Sequence, residues 1–262
     1  MRSTAFRLTA AMTLLAAVGI SFVNAQTASP INVVTTAVPF LRISPDARAG
    51  GMGDLGLATS PDASSSYYNI GKVPFNESPA GINVTYTPWL KRLVNDVYLA
   101  SASGYYKLDD NQALSASLRY FSLGQIQFTD QFGNLTGSGQ PREFGIDVGY
   151  SRKLTAKTGI GVGLKYIYSN LASGATSAAG TYKAGSTVAG DIGLYHNGQN
   201  SVGQGWAFGA ALTNLGGKIA YTNNAQSKDF LPANLGIGAT YTAVLDESNR
   251  IMFGVDLNKL LV

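Results

Sequence analysis

In 262 residues with one histidine, no cysteine and 13% charged side chains, several classes of protein drop out. A disulfide-stapled domain and a zinc site of ordinary composition lack their ligands, and a net charge of +4 without a Lys/Arg cluster gives no nucleic-acid footprint. The composition favours a strand-built, lipid-facing protein, since 31 glycines, 14 tyrosines and 11 phenylalanines supply bends and interface aromatics.

Arg2 and Arg7 precede an apolar run from Leu8 to Val23, and Val23-Asn24-Ala25 offers a small-residue cleavage site before Gln26. Residues 1–25 are therefore expected to be a secretory signal peptide. No later run approaches the ~20 apolar residues of a spanning helix, so any membrane crossing must be made by strands. Residues 26–80 hold most of the nine prolines and little alternation. They are expected to form an N-terminal arm and plug (hatch) segment, irregular or short-helical, whose charges meet a polar lumen. Its densest stretch, Phe40 to Asp54, carries Arg42, Asp46, Arg48, Gly50, Gly51, Gly53 and Asp54. The glycines permit tight turns and close backbone approach.

From residue 81 to 262 the hydrophobic period is two, the signature of half-buried strands. Ile82, Val84 and Tyr86 share a face, and Val97 to Lys107 is a weaker candidate. Leu114, Ala116, Leu118 and Tyr120 alternate with Ser115, Ser117 and Arg119. Phe144, Ile146, Val148 and Tyr150 alternate with Gly145, Asp147 and Gly149. The row from Ile160 to Tyr168 alternates with Gly161, Gly163 and Lys165. Similar rows start at Val188, alternating with Ala189, Asp191 and Gly193, at Trp206, at Leu235, and at Ile251, opposite Gly254, Asp256 and Asn258. A charge facing mid-membrane lipid costs a few kcal/mol, so Arg119, Asp147, Lys165, Asp191 and Asp256 should point inward. In a secreted β-sandwich the same faces would meet water. Short turns (108–111, 154–157, 197–203, 246–249) alternate with long Gly/Ser/Asn-rich connections (124–141, 171–185, 216–232), the rhythm of periplasmic and extracellular sides. The expected fold is an all-β transmembrane antiparallel β-barrel of the outer membrane. About nine strands are counted, whereas bacterial single-chain barrels close with an even number, and the chain stops in a strand-like run at Leu260-Leu261-Val262. A C-terminally truncated barrel is therefore expected.

The stretch Phe40 to Asp54, continued by Leu57 to Ala63, closely resembles the amino-terminal signature of the PorV (LptO) family. These are outer-membrane components of the type IX secretion system of Bacteroidetes, within the FadL-like barrel superfamily. Tyr67-Tyr68-Asn69, Thr87-Pro88-Trp89-Leu90, Leu231 to Leu235 and Val255 to Lys259 support the likeness. It implies a fourteen-stranded barrel and a non-enzymatic role without a cofactor. It further implies binding of the C-terminal signal domains of secreted cargo, docking on the type IX translocon pore protein, and transfer of cargo to a surface attachment complex with a sortase-like member. Outer-membrane lipid is the remaining partner. Where FadL-like proteins commonly carry Asn-Pro-Ala after the aromatic pair, this chain has Asn69-Ile70-Gly71, so the plug is expected to turn differently there.

The rival function is a FadL-like outer-membrane transporter of hydrophobic small molecules. It needs a continuous apolar path, which inward faces of Ser, Gly and charge disfavour. A lipid-A-modifying enzyme wants a base, and the lone histidine, His196, reads as a solvated turn residue beside Asn197-Gly198. Gly159-Ile160-Gly161-Val162-Gly163 sits within an alternating strand, where it reads as lumen-facing glycine and not as a phosphate loop. For cargo, the best local candidate is Gln125-Ile126-Gln127-Phe128, whose alternation suits a hairpin that pairs edge-to-edge with a β-rich domain.

Overall fold

A computed structural model of the chain describes residues 36–172, 176–177, 180–222 and 228–261. These fall in one unit, Thr35–Val262. The expected signal peptide and the first residues of the arm lie outside the described residues. No described helix is long and apolar enough to cross a membrane, which says nothing of strands.

Period-two sequence becomes one large antiparallel meander. In chain order the strands are β1 (Ala80–Pro88), β2 (Val97–Lys107), β3 (Gln112–Leu123), β4 (Ile126–Thr129), β5 (Leu135–Gly139), β6 (Arg142–Lys153), β7 (Thr158–Asn170), β8 (Thr176–Ser177), β9 (Gly180–Thr181), β10 (Gly185–Asn197), β11 (Gly205–Gly216), β12 (Asn234–Val244) and β13 (Arg250–Leu260). Nine of them form a single sheet in the order β1-β2-β3-β6-β7-β10-β11-β12-β13. The pairs β4–β5 and β8–β9 are separate hairpins within two connections. Every neighbour in the large sheet is antiparallel. Val97–Lys107, a weak strand by pattern, is a full strand of 11 residues. It pairs along its length with both β1 and β3, because cross-strand hydrogen bonding does not depend on side-chain hydrophobicity. The sheet is open, with β1 and β13 as its edges. In hydrocarbon their free backbone groups require pairing partners.

The two faces differ sharply. On β3, Leu118 is 46% exposed and its neighbour Arg119 is 1% exposed. The same division runs across the sheet. Ile82, Val84, Ile146, Val148, Leu164, Val188, Ile237, Phe253, Val255 and Leu257 are exposed on one face. Lys165, Asp191, Ser103, Ser115, Ser151 and Thr240 are buried on the other. A contiguous apolar face of this extent marks a surface that meets lipid or protein, not water. Aromatic rings cluster at both ends of that face. At one end Tyr98 lies between Tyr86 and Tyr120, with ring centroids 5.2 and 6.1 Å away, and Phe144 stacks on Tyr168. At the other, Trp206 contacts Phe208 and Tyr241. Aromatic belts of this kind flank the apolar band of membrane barrels.

His196 corrects the sequence reading. It lies within β10, on the outer face, where Nδ1 and Thr158 Oγ1 are 2.9 Å apart. The strand continues to Asn197 because β7 pairs with it as far as Thr158.

If the exposed face meets lipid, Leu118→Arg should destabilise the folded protein by about 2–4 kcal/mol in a bilayer refolding titration. An unchanged midpoint would place that face elsewhere.

Candidate functional site

The buried face is covered by the chain's own N-terminal segment, and local chemistry explains each of its turns. Pro39 starts a 3-10 turn, Pro39–Arg42. Asp46 caps the short helix Ala47–Gly51, its carboxylate accepting from Arg48 N–H and Ala49 N–H. Gly53 and Asp54, with φ of 74° and 63°, turn the chain back after that helix. Asp62 accepts from Ser64 N–H, and the helix Ser65–Tyr68 follows. Asn69 then caps a second 3-10 helix, Ile70–Phe75, by accepting from Gly71 N–H at 3.0 Å.

Across the sheet the segment meets every strand. Asn83 of β1 donates to Ser64 Oγ at 2.6 Å, and Ser64 and Ser103 of β2 are 3.4 Å apart. Arg119 of β3 donates to Leu41 O at 3.4 Å, with its guanidinium over the rings of Tyr67 and Phe40. On β6 and β7, Gly149 and Gly161 leave room for Ile70: a Cβ at Gly161 would stand 2.9 Å from its backbone. On β10, Asn69 Nδ2 donates to Leu194 O at 2.9 Å. On β11, Gly209 lies so close under Leu57 that a Cβ would overlap its carbonyl. On β12, Thr240 Oγ1 donates to Ala58 O at 2.9 Å. On β13, Asp256 Oδ2 accepts from Gly56 N–H at 2.8 Å and Leu57 N–H at 3.0 Å.

Beneath the segment lies a neutral charge cluster. Lys165 Nζ is 3.3 Å from Asp147 Oδ1, 3.1 Å from Asp191 Oδ2 and 2.7 Å from Asn214 Oδ1. Arg119 Nη2 is 3.6 Å from Asp147 Oδ2, which also accepts from Ser117 at 2.9 Å. Asn214 reaches the cluster through a register shift between β10 and β11 at Gly190/Ile192 and its own left-handed φ of 58°. Its N–H donates to Asp191 Oδ1 at 2.7 Å. Such irregularities re-aim single side chains. Towards the long-connection end the face is sealed by an apolar cluster that includes Val38, Phe40, Leu41, Leu99, Phe121, Ile167, Ile219 and Leu231. Beside it, a cavity of about 240 Å³ is lined mainly by polar groups, among them Arg42, Asp54, Tyr67, Lys165, Asn234 and Asp256.

The residues singled out from sequence do not form one constellation. Asp46, Arg48, Gly53 and Asp54 build a turn unit in which Arg48 pairs with Asp62 at 2.6 Å and bonds Ser60. Arg42, Gly50 and Gly51 are exposed. Asn69 is buried and belongs to the clamp on the sheet. Gln125 and Gln127 are exposed, while Ile126 and Phe128 are half-buried. Phe128 packs across Gly139 of its own hairpin. Sequence reasoning missed Lys72. It is buried and donates to Gly56 O at 2.6 Å and Thr59 Oγ1 at 3.1 Å. Burial lowers its pKa to about 8. Burial likewise raises the Tyr67 phenol to about 12, so it stays a neutral donor to Leu41 O and Ile43 O. No group of three or more His, Cys, Asp or Glu that could hold a metal occurs among the described residues.

An apolar outer face with aromatic ends, and a charged inner face stoppered by the same chain, define a membrane β-sheet protein of the outer-membrane barrel class. The chain belongs to the PorV family, since the family described as type IX secretion system protein PorV matches residues 25–262. It is thereby an outer-membrane component of type IX secretion. A loose likeness links the chain to the Ralstonia pickettii toluene transporter TbuX, at 13% sequence identity and a TM-score of 0.25, over 68% of this chain and 55% of that one. The chain thus spans about half the length of that transporter, and so loose a likeness carries no argument about function. No curated protein matches the sequence.

Two outcomes test the clamp. Asn69→Ala removes donors to two carbonyls and should loosen the segment by about 2–4 kcal/mol, read as faster hydrogen exchange of residues 56–58. Lys72 sheds its proton at about 8 when folded and at 10.5 as a freely solvated side chain. Between those values the unfolded chain binds more protons, so stability should rise with pH across that window, by about 3 kcal/mol in all. Lys72→Met should flatten that rise in a denaturation series from pH 7 to 11.

Proposed function

We propose that the protein is the cargo shuttle of its secretion system. It binds the C-terminal signal domains of secreted proteins as they leave the translocon pore and hands them to the surface attachment complex with its sortase-like member. In this reading the sheet is the lipid-embedded wall, residues 1–25 direct export, and the segment up to residue 80 is the plug. The observation that carries it is the placement of the connections. Those of 89–96, 124–141, 171–184 and 217–233 all leave the same end of the sheet, while the opposite end has only tight turns. A platform of loops above a stoppered wall suits recognition of large folded cargo and not passage of solutes.

The hairpin β4–β5, within the connection 124–141, is a separate two-stranded unit. Its outer edges are available for strand addition, which recognises a β-rich partner through backbone hydrogen bonds. Gln125 to Phe128 form one such edge. A transporter of hydrophobic molecules is disfavoured because the inner face is occupied by an ion cluster, and charges make a poor path for an apolar solute. The role needs no chemical step, and no residue is assigned one.

Replacing residues 125–135 with a Gly/Ser linker should leave the barrel assembled while cargo accumulates in the periplasm, seen by fractionation and immunoblot. Normal secretion would dismiss the hairpin as the cargo site.

A further inference from the structure

Between β1 and β2, at the rim of the long-connection end, the chain makes a tight knuckle, residues 89–94, that takes no part in the clamp. It is apolar and cationic at once. Leu93 is 80% exposed and Leu90 58% exposed, with Trp89 and Val94 partly so. Lys91 and Arg92 stand exposed between them, and the ion pairs of the described residues include neither.

The knuckle is closed by its own backbone hydrogen bonds. Leu93 N–H and Val94 N–H donate to Leu90 O at 2.7 and 3.1 Å, and Trp89 N–H donates to Val97 O at 2.9 Å. Its end is tied to β3, where Ser122 Oγ donates to Asp96 O at 2.9 Å and Gln125 N–H to the Asp96 carboxylate at 2.7 Å. Leu90 takes a left-handed φ of 52°. Such a conformation costs a non-glycine residue free energy and persists only where the surroundings enforce it.

Position and charge name the partner. Tyr86 and Tyr98 begin the aromatic belt directly below the knuckle, on the outer face. That belt lies at headgroup level, so groups just beyond it meet lipid phosphates while apolar side chains reach back to the acyl chains. We propose that the 89–94 knuckle is a lipid anchor. Lys91 and Arg92 would bind the phosphates of anionic lipids in the leaflet at the long-connection end, and Leu90 and Leu93 would sit among the first carbons of their chains. The proposal rests on the reading of the outer face as lipid-facing.

The chain has no cysteine, so Leu93→Cys and, separately, Leu118→Cys each give a single site for an environment-sensitive fluorophore. The labelled protein is reconstituted into phosphatidylcholine vesicles in which either the phosphatidylcholine or added phosphatidylglycerol carries brominated chains. The Leu93 label should be quenched by both, about threefold more strongly by the anionic lipid at low salt. Lys91→Gln with Arg92→Gln should abolish that preference, while the Leu118 label stays equally quenched by both lipids. Equal quenching of the Leu93 label in the unsubstituted loop overturns phosphate recognition. An unquenched Leu93 label beside a quenched Leu118 label overturns the anchor altogether and makes the knuckle a protein-docking element. An unquenched Leu118 label would instead sink the lipid-facing sheet on which the proposal stands.

Discussion

The structure depends on how the backbone of residues 56–58 is satisfied inside the sheet. A buried amide or carbonyl without a partner costs about 1–3 kcal/mol, and Gly56, Leu57 and Ala58 are all buried. Asp256 takes two of its N–H groups, while Lys72, Asn69 and Thr240 donate to the carbonyls of Gly56, Leu57 and Ala58. Strands β12 and β13 and the segment's own later turns therefore meet on three consecutive residues. The remaining contacts of the segment follow from that fixed point, with glycines where backbone presses on backbone and serines and threonines where a side chain can lend a hydroxyl.

The ion cluster follows from the same cover. Arg119, Asp147, Lys165 and Asp191 balance in charge, yet taking them from water is expensive unless geometry is good. Asn214 completes it with both a backbone donor and a side-chain acceptor. Arg119 adds contact with two aromatic rings of the segment. The cluster thus reads less as a source of stability than as a specification: removing one member leaves an uncompensated buried charge.

The sheet was plain in the sequence because its signal is local. Alternation at Leu114–Tyr120 or Phe144–Tyr150 needs only neighbouring residues, and the inward glycines of Gly159–Gly163 stand out against such a row. The clamp was not legible, because Asp256 and Gly56 are 200 positions apart and nothing near either announces the other. Lys72 looks like any charge in a turn until its surroundings are known. The Asn214 irregularity escapes pattern reading too, since it breaks the alternation on which strand recognition relies. Asn69 was visible only as part of a motif, and its partners came from the three-dimensional arrangement.

The clamp also has a consequence for how the protein is made. The residues it holds and their partner on β13 are separated by about 200 positions of chain. Contacts of such separation form slowly, because a long stretch of chain must be ordered before they are rewarded. Until Asp256 arrives, Gly56 and Leu57 wait with open hydrogen-bonding groups above a half-built wall. A segment that precedes its partner by so much chain therefore spends part of folding unlocked, when its open groups can pair with strangers.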